Sequence, residues 1–406
     1  MKPMGTIPAE FAGAPLRIAG RTAEEWAVEA GDTPLFVYDF GVVAARIARF
    51  RSSFAGVDLH YAIKANPFAP LLAAMAPLVD GFDIASAGEL GLAIAAKDAG
   101  SISFAGPGKR DDELTAAIEA GVTINLESEG EAVRALRAAG RLGVTPGLAV
   151  RVNPEIELRG SGMRMGGRAS PFGIDADRAA AVARTVIDAG ADWRGFHIFA
   201  GSQALDTGAI IETQAETLAL AARLADQVGV MPPLVNLGGG FGIPYFPGEV
   251  PVDIEAVGAA LAGRLASSPL KGRFAIELGR WLVGEAGVYL TRVVDRKTSR
   301  GETFIVTDGG MNHQLAASGN LGTVVRRNYP VAVATAEAHA PVETVSVVGP
   351  LCTPLDRLAD QVALPEAHPG DIIAMFMAGA YGLSASPAGF LGHAKPAEIL
   401  APAQRS

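Results

Sequence analysis

The stretch from Asp58 to Ala99 decides the fold, and it reads DLHYAIKANPFAPLLAAMAPLVDGFDIASAGELGLAIAAKDA. Its apolar runs at 58–64 and 81–86 are short and predict strands, whereas the alanine-rich run at 87–99 predicts a helix. A helix that follows one strand and leads into the next is the connection that parallel strands require. The stretch therefore predicts a strand–helix repeat built on a parallel sheet.

The same alternation continues through the first 280 residues or so. We predict eight strands, at 58–64, 81–86, 102–105, 123–126, 148–152, 194–199, 235–237 and 274–277. We predict helices between them at 87–99, 111–120, 129–142, 176–189, 209–228 and 253–266. Eight such units over about 250 residues favour an α/β fold of the (β/α)8 barrel type. A doubly wound open sheet has the same alternation, so the pattern leaves both architectures open.

The pattern of apolar residues changes after residue 286. Strand-like runs occur at 288–295, 303–307, 344–348 and 371–376, and helical patterns nearly vanish, which predicts a C-terminal all-β domain. The early run at 34–39 precedes the barrel, and we expect it to add a strand to that domain. The predicted organisation is an N-terminal segment (1–39), a barrel (40–286) and a β-domain (287–406).

The composition narrows the classes of function. The chain has 406 residues, of which 49% are hydrophobic and 19% charged, so an intrinsically disordered chain is excluded. Its net charge of -9 disfavours a nucleic-acid partner, since nucleic acids bind to basic faces. Residues 1–20 lack the apolar core of a secretory signal, and the chain lacks the run of about 18 apolar residues that predicts a membrane span.

Cysteine and histidine usage bears on compartment and metal binding. Cys352 is the only cysteine, so no intrachain disulfide can form, which fits a reducing compartment such as the cytoplasm. The six histidines include no His-x-x-x-His pair, and a single thiol cannot build a cysteine cluster. The sequence therefore predicts no metal site.

Polar side chains lie where the predicted strands end. In chain order they are Lys64, Asp83, Ser86, Glu127, Arg151, Asn153, His197, Gly238, Gly239, Gly240, Glu277 and Arg280. In a parallel barrel all of these strand ends meet at one rim, where active sites lie. A random distribution would occupy both ends of the barrel, so we expect an active site at this rim.

Lys64 ends the first predicted strand within the motif YAIKANP. Burial there would lower the pKa of its amine and improve it as a nucleophile for Schiff-base chemistry. The alternative interpretation is an ordinary lysine that extends to solvent at the rim.

The ends of strands six to eight carry three further candidate groups. The glycines 238–240 can present backbone N–H groups to a phosphate, or simply form a tight turn. Glu277 and Arg280, in ELGR, can hold a cofactor nitrogen protonated and bind phosphate, or form an ordinary ion pair. His197 can stack on a flat ring or be a hydrogen-bonded core histidine. Taken together with a nucleophilic lysine, these groups describe a pyridoxal phosphate site.

Seven motifs make the resemblance to a family specific. YAIKANP, FDIASAGEL, HIFAGSQ, NLGGGFGIPY, ELGR, GPLCTPLD and GAYG occur in this order over roughly residues 33–390. This pattern resembles the fold-type III pyridoxal 5'-phosphate (PLP)-dependent decarboxylases, the group of the diaminopimelate, ornithine and arginine decarboxylases. The resemblance implies a (β/α)8 barrel, a C-terminal β-domain and a homodimer with composite active sites.

The resemblance also implies a role for each matching residue. Lys64 matches the catalytic lysine that forms the internal aldimine, Glu277 the acid beside the pyridine nitrogen, and His197 the histidine that stacks on the ring. Phosphate binding is implied for Ser202, Gly238, Gly239, Gly240, Arg280 and Tyr381. Other contacts around the cofactor are implied for Asp83, Glu89 and Arg151.

The substrate end of the site departs from the family pattern. Cys352, in GPLCTPLD, matches a catalytic cysteine delivered to the partner subunit's active site, and Thr353 and Asp356 follow it as implied substrate residues. Diaminopimelate decarboxylases place a glutamate after this cysteine and ornithine decarboxylases an aspartate, and these acids engage the far end of the substrate. A threonine at position 353 supplies no such charge.

Other departures point to one branch of the family. Residues 308–320, DGGMNHQLAASGN, lack the usual Arg-Pro-Ala-Leu-Tyr, and 170–171 read Ser-Pro where a lysine is common. Three residues, rather than one, separate His197 from Gly201. These departures resemble the branch associated with exosortase A systems and the decarboxylases that act on carrier-protein-bound or conjugated amino acids.

We therefore predict a PLP-dependent decarboxylase that removes the α-carboxylate of an amino acid or of an amino-acid conjugate. A carrier protein that presents this substrate is one form that the conjugate can take. A diaminopimelate decarboxylase of lysine biosynthesis is the first alternative, followed by an amino-acid racemase and a non-catalytic PLP-binding protein. Glu277 disfavours the racemase, because alanine racemases typically place an arginine at the pyridine nitrogen. The Arg-rich loop 159–172 is either a lid or a surface connection.

Overall fold

A computed structural model describes residues 1–13, 15–155, 158, 162–164, 167, 169–319, 327–337 and 339–403. The chain forms two compact units. The barrel unit comprises Ile47–Ile243 and Pro251–Gly279, and the β-unit comprises Met1–Arg46, Pro244–Val250 and Arg280–Ser406.

The helices and strands of the described residues alternate in the first part of the chain, and strands predominate afterwards. The α-helices are α1 (Ala23–Ala30), α2 (Phe40–Ser53), α3 (Ala69–Met75), α4 (Ala87–Ala96), α5 (Asp111–Ala120), α6 (Glu129–Leu142), α7 (Ala176–Asp188), α8 (Thr207–Val228), α9 (Ile254–Ser267) and α10 (Arg280–Val283). The strands are β1 (Arg17–Ile18), β2 (Arg21–Thr22), β3 (Leu35–Asp39), β4 (Asp58–Ala62), β5 (Gly81–Ile84), β6 (Ile102–Phe104), β7 (Thr123–Leu126), β8 (Gly147–Asn153), β9 (Met163–Arg164), β10 (Ile174–Asp175), β11 (Asp192–Ile198), β12 (Gly201–Ser202), β13 (Leu234–Gly239), β14 (Arg273–Leu278), β15 (Gly287–Ser299), β16 (Glu302–Thr307), β17 (Val331–Val333), β18 (Val342–Val348), β19 (Arg357–Pro365), β20 (Ile372–Met375) and β21 (Ala397–Ala401).

Eight parallel strands close into a barrel. Their order is β8-β11-β13-β14-β4-β5-β6-β7, and β7 pairs back onto β8, with Ile124 opposite Leu148. The short strand β10 adds to β8 outside this ring. Closure excludes the open-sheet alternative and confirms the predicted (β/α)8 barrel.

The barrel strands are buried on both faces, as parallel strands covered by helices must be. Every residue of β5 is buried, and Phe82, Phe104 and Phe196 are among the fully buried side chains of this unit. Helices α5 and α6 begin and end where the sequence predicts. For α6 the reasons are local, since the Ser128 hydroxyl accepts the Glu131 N–H at 3.1 Å and Gly143 ends the helix in the left-handed conformation.

Several helices and strands of the structure have no recognisable start or end signal in the sequence. Helix α3 was not predicted, and its N-cap residue, Phe68, offers no side chain that could cap the helix. Also not predicted were the helices α1, α2 and α10 and the strands β1, β2, β9, β10, β12, β17, β19 and β21.

The β-unit is built around one sheet. Strands β17-β20-β15-β16-β18-β19 follow one another in that order, and β15 also pairs with β3, which in turn pairs with β21. Strand β3 therefore brings the N-terminal segment into the sheet of the β-unit, antiparallel to β15 and parallel to β21. The long strand β15 is the centre of this unit, because it pairs with β3, β16 and β20.

A buried ion pair fixes the loop after β6. The Lys109 amine lies 2.6 Å from the Glu131 carboxylate and donates to the carbonyls of Gly106 and Asn125 at 2.7 and 3.0 Å. Both charged side chains are about 1% exposed. Burial lowers the pKa of Lys109 and raises the pKa of Glu131, so each charge depends on its partner. The pair ties β7 and the start of α6 to the loop that precedes α5.

We expect Lys109→Met to destabilise the barrel unit by about 3–5 kcal/mol, because it leaves the Glu131 carboxylate buried without its cation. The double variant Lys109→Met/Glu131→Leu should recover most of that loss, since it removes both charges. Denaturant unfolding of the three proteins measures the effect. A double variant no more stable than the single one would show that the pair does not control the stability of this loop.

Candidate active site

Buried polar side chains gather at the carboxyl end of the barrel. They share low exposure and positions within or directly after the parallel strands, and they are His60, Asp83, Asn125, Glu127, Arg151, Asn153, His197, Asn236 and Glu277. Because the strands are parallel and the barrel is closed, these ends share one rim. The predicted convergence of strand-end residues is thus found for the members that belong to the barrel unit.

A carboxylate shared by two bases forms the centre of this rim. Glu277, in β14, lies 3.1 Å from His197 Nε2 and 3.8 Å from Lys64 Nζ. Glu277 and His197 are buried, whereas the Lys64 side chain is 47% exposed. The cluster therefore combines an accessible amine with a carboxylate that water does not reach.

The cluster keeps its carboxylate ionised. Burial alone would raise the pKa of Glu277, but the hydrogen bond to His197 and the charge of Lys64 outweigh burial and lower it. A carboxylate in this state can hold a proton on a neighbouring ring nitrogen, because it accepts a hydrogen bond and carries the opposite charge.

Lys64 lies beyond the strand that it was predicted to end. The strand ends at Ala62, and Lys64 lies in the 3-10 turn Ile63–Ala65 that follows it. Nearly half of the side chain is exposed, which agrees with the interpretation of a lysine that extends to solvent at the rim, and its amine lies 5.8 Å from the centre of the Phe199 ring. The amine is accessible at the rim because the turn raises it above the last strand residue.

The glycines after strand seven of the barrel are required by close chain packing. Gly240 has a φ of 76°, and a Cβ there would lie 2.0 Å from the Gly201 carbonyl oxygen. A Cβ on Gly239 would lie 1.9 Å from the carbonyl oxygen of Glu277. The amide of Gly238 donates to the Asn236 side chain at 2.9 Å, so this N–H is already used within the chain.

Arg151 also belongs to a buried pair. It donates to Glu127 at 2.7 Å, and the same carboxylate accepts the Gly173 N–H at 2.7 Å. Burial would raise the pKa of Glu127, but Arg151 and Lys109 outweigh it and lower the pKa. The pair joins the ends of two neighbouring strands to the chain that precedes β10.

The remaining barrel candidates have defined local partners. Asp83 lies 3.4 Å from His60 Nδ1 and accepts the Ser103 hydroxyl. Burial would lower the pKa of His60, but the Asp83 charge outweighs it and raises the pKa. Glu89 accepts the Ala85 N–H at 2.6 Å, which closes the turn before α4.

Ser86 and Ser202 take part in backbone structure near the rim. The Ser86 hydroxyl caps α4 by accepting the N–H of Glu89 at 3.2 Å. Ser202 lies in β12, which pairs with β9 in the register Ser202 to Met163. The pairing fastens the loop after β11 to part of the loop 159–172, whose residues 159–161, 165–166 and 168 lie outside the described residues.

The β-unit contains its own group of candidate residues. Arg280 donates to the Tyr245 hydroxyl at 2.7 Å, and its guanidinium lies 4.6 Å from the centre of the Tyr381 ring. The Nε of Arg280 is buried and has no hydrogen-bond partner in the described ranges. Tyr381 has a φ of 53°, a strained conformation for a tyrosine that is typical of functional sites. Arginine and phenol donors in this arrangement suit an anion.

A turn in the β-unit presents the predicted substrate residues. Cys352 is an exposed free thiol, and the Thr353 hydroxyl accepts the Leu355 N–H at 3.3 Å. Asp356 is buried, and its two oxygens accept the N–H groups of Met311 and Leu351 at 2.7 and 2.8 Å. Burial raises the pKa of Asp356. This carboxylate therefore fastens the base of the turn that carries Cys352 and Thr353.

Comparison with known proteins identifies the family. The profile described as "Pyridoxal-dependent decarboxylase, pyridoxal binding domain" matches residues 40–284. The chain belongs to the pyridoxal-dependent decarboxylases. It is therefore an enzyme, an amino-acid decarboxylase with pyridoxal 5'-phosphate as cofactor.

Relatives of this decarboxylase act on different substrates. A decarboxylase of Niallia circulans named for L-glutamyl-BtrI acyl-carrier protein is 36% identical, over 91% of this chain and 89% of its own. The diaminopimelate decarboxylase of Methanothermobacter thermautotrophicus is 32% identical, over 95% and 90% of the two chains. The structure of diaminopimelate decarboxylase from Helicobacter pylori, complexed with L-lysine, matches with a TM-score of 0.84 and 27% identity, and covers 93% of both chains.

The polar groups of the decarboxylase fit this cofactor. The barrel rim supplies an amine at Lys64 and an ionised carboxylate at Glu277, which suit the aldehyde and the ring nitrogen of a pyridine aldehyde. His197 Nδ1 is buried without a hydrogen-bond partner among the described residues, as is the Nε of Arg280 in the β-unit. A buried guanidinium nitrogen without a partner suits a phosphate.

Neither a membrane-spanning helix nor a metal-binding cluster is found among the described residues. No described helix of the decarboxylase is long and apolar enough to cross a membrane. Within the same residues, no group of three or more His, Cys, Asp and Glu side chains is arranged to hold a metal ion.

Sequence reasoning missed several residues that shape the site. His60 contacts Asp83, Tyr245 contacts Arg280, and Gln203 holds Ile243 through its side-chain amide. Tyr245 and Gln203 end the motifs NLGGGFGIPY and HIFAGSQ, so the motifs included them without indicating a partner. His60 precedes YAIKANP, and a histidine within an apolar strand was its only signal.

We expect Glu277→Gln to keep the cofactor but to decarboxylate roughly a hundredfold more slowly, because a neutral amide cannot stabilise the charged ring nitrogen. Glu255→Gln is the matched control, since Glu255 is an exposed carboxylate of the same unit paired with Arg49. Cofactor absorbance and turnover are measured together. Unchanged turnover in Glu277→Gln would make this residue a purely structural partner of His197.

Proposed function

We propose that this enzyme removes the α-carboxylate of an amino acid whose far end is neutralised by conjugation, with a carrier-protein-bound L-glutamyl group as the leading candidate. The observation that carries the proposal is Thr353, which follows Cys352 where the family places an acid. The Niallia circulans relative, named for an L-glutamyl carrier-protein substrate, supports it. The departures in 308–320 and 170–171 support the branch associated with exosortase A systems.

The chemistry of the far end separates the candidate substrates. The far ends of ornithine and lysine carry an ammonium group, and the far end of diaminopimelate carries an ammonium and a carboxylate. A charged end of this kind needs an oppositely charged or hydrogen-bonding partner when water is removed. Thr353 offers only a neutral hydroxyl, which already accepts the Leu355 N–H. A thioester or amide end carries no charge, so a neutral turn is suited to it.

The residue roles follow the geometry of each unit. Lys64 would hold the cofactor through its amine, and Glu277, aligned by His197, would keep a proton on the ring nitrogen. His197 would also contact the ring, with Asp83, Glu89 and Arg151 supporting the rim around it. The bound cofactor supplies the electron sink that accepts the electron pair released when carbon dioxide leaves.

Phosphate binding is proposed for two groups of residues. The glycines 238–240, at the end of β13, would contribute backbone N–H groups other than that of Gly238, which donates to Asn236, and Ser202 would contribute a hydroxyl. Arg280 and Tyr381 would contribute charged and phenolic donors, and the unpartnered Nε of Arg280 supports this assignment.

The substrate end would be completed by a second copy of the chain. Cys352 is exposed on a turn whose base Asp356 fastens, and the family resemblance assigns this cysteine to the partner's site. We propose a homodimer with two composite sites, in which Cys352 is catalytic, Thr353 contacts substrate and Asp356 positions both. An exposed thiol also suits a reducing compartment, which supports a cytoplasmic location.

Diaminopimelate decarboxylation is the second candidate. Diaminopimelate decarboxylases of several organisms are 29–33% identical to this chain over most of its length, which favours that activity. The neutral residue at 353 weighs against it, because the acid that engages the second charged end of diaminopimelate is missing.

We expect kcat/KM for free diaminopimelate, ornithine and lysine to be at least about a hundredfold below that for an L-glutamyl thioester of a carrier protein. Product masses and carbon dioxide release measure this difference. Thr353→Glu should improve the turnover of diaminopimelate relative to the parent enzyme, since it restores the missing charge. Efficient turnover of free diaminopimelate by the parent would overturn the proposal in favour of the second candidate.

The composite site predicts complementation between two inactive variants. Lys64→Ala and Cys352→Ala homodimers should each be poor enzymes, because each lacks one component in both sites. After subunit exchange in equal amounts, half of the dimers are mixed and have one intact site of two, so about a quarter of parental activity should return. Exchange is verified by mass spectrometry of tagged subunits. If activity stays absent after verified exchange, Cys352 does not act in the partner's site.

A further inference from the structure

Gln203 links two loops of the barrel unit through its side chain. Its Nε2 donates to the Ile243 carbonyl at 2.7 Å, and its Oε1 accepts the Ile243 N–H at 3.2 Å. One amide thus satisfies both backbone groups of a residue that lies 40 positions further along the chain. Gln203 follows β12, and Ile243 follows the glycines after β13.

Backbone hydrogen bonds continue the same connection. The Ala204 N–H donates to the Gly240 carbonyl at 3.0 Å, and the Gly242 N–H donates to the Ala204 carbonyl at 2.8 Å. Together with the Gln203 amide, these bonds join the segment Gly240–Ile243 to the loop after strand six of the barrel. The loop with the glycines is therefore held at four points rather than closed on itself.

A third loop rests on the same residue. The Gly162 N–H donates to the Gln203 carbonyl at 3.3 Å, and a Cβ on Gly162 would lie 3.2 Å from Gln203 Cβ. Gln203 thus connects the chain segments that follow strands five, six and seven of the barrel. All of these contacts lie within the barrel unit.

The backbone of Gln203 is strained. Its φ is 59°, a left-handed conformation that is uncommon for residues other than glycine. Such strain persists where surrounding contacts require it, and it concentrates at binding sites. Glycine would remove the strain, but it has no side chain to reach Ile243.

We propose that Gln203 is a positioning residue that holds the Gly238–Gly242 loop in the shape that binds the phosphate of the cofactor. This inference rests on the proposed phosphate role of that loop. Backbone N–H groups bind an anion tightly only when their directions are fixed in advance, because ordering a loose loop opposes binding. Loss of the Gln203 amide would therefore weaken the binding of phosphate without changing the amine or the ring-nitrogen partner.

The test compares two ligands that differ only in the phosphate. Apo forms of the parent, Gln203→Ala and Gln203→Gly are titrated with pyridoxal 5'-phosphate and with pyridoxal, and dissociation constants are obtained from absorbance. We expect both variants to bind pyridoxal 5'-phosphate about tenfold more weakly, which is the effect of one or two lost hydrogen bonds, and to bind pyridoxal as the parent does. Gln203→Gly relieves the strain, so a loss of affinity that it shares with Gln203→Ala is ascribed to the missing amide and not to backbone strain.

Gln361→Ala is the matched control. Gln361 is also a glutamine with a left-handed φ, of 50°, but it lies in β19 of the β-unit. Its removal should leave both dissociation constants unchanged. Hydrogen exchange at the amides of Ala204 and Gly242, which donate to the Gly240 and Ala204 carbonyls, provides a second readout, and exchange there should be faster in both Gln203 variants.

The outcomes separate the inference from the proposal beneath it. If the parent binds pyridoxal as tightly as pyridoxal 5'-phosphate, the phosphate assignment of the glycine loop fails. If the parent prefers the phosphate and the Gln203 variants keep the same preference, the positioning role is overturned. Equal weakening for both ligands in the Gln203 variants would also overturn it, because the effect would not depend on phosphate.

Discussion

The active site depends on an ionised carboxylate held where water does not reach. Burial opposes the charge on Glu277, and the hydrogen bond from His197 with the charge of Lys64 reverses that effect. Lys64, His197 and Glu277 come from the ends of β4, β11 and β14. They can contact one another only if these three strand ends lie close together. The closed barrel meets this requirement, because the carboxyl ends of its parallel strands all lie at one rim.

Close packing of backbone around the carboxylate imposes a second constraint. A Cβ on Gly239 would lie 1.9 Å from the carbonyl oxygen of Glu277, so only glycine fits where the strand that carries the acid meets the strand that carries the glycines. Ion pairs such as Arg151 with Glu127 and Lys109 with Glu131 then connect the neighbouring strand ends. The rim is therefore held by contacts between loops as much as by the strands below them.

The sequence predicted those parts of the molecule whose causes are local. Helices α5 and α6 have acidic first turns and end at glycines in the left-handed conformation, and both were predicted with correct bounds. The end of β4 was not, because the turn around Lys64 is set by contacts such as the Tyr61 hydroxyl with the Asn66 carbonyl. Ile243, the partner of Gln203, and Met311, one of the two partners of Asp356, lie 40 and 45 residues away, beyond the reach of any local pattern.

The turn that carries Cys352 and Thr353 is held at its base by another residue, Asp356. Asp356 anchors the base through the N–H groups of Leu351 and Met311, and neither bond uses the side chains at positions 352 and 353. Exchange of those two side chains therefore leaves both Asp356 bonds in place and removes, at position 353, only the hydroxyl that accepts the Leu355 N–H. A chain built this way can acquire a new substrate by one or two substitutions, which makes the turn a natural place for related decarboxylases to diverge and for laboratory evolution to begin.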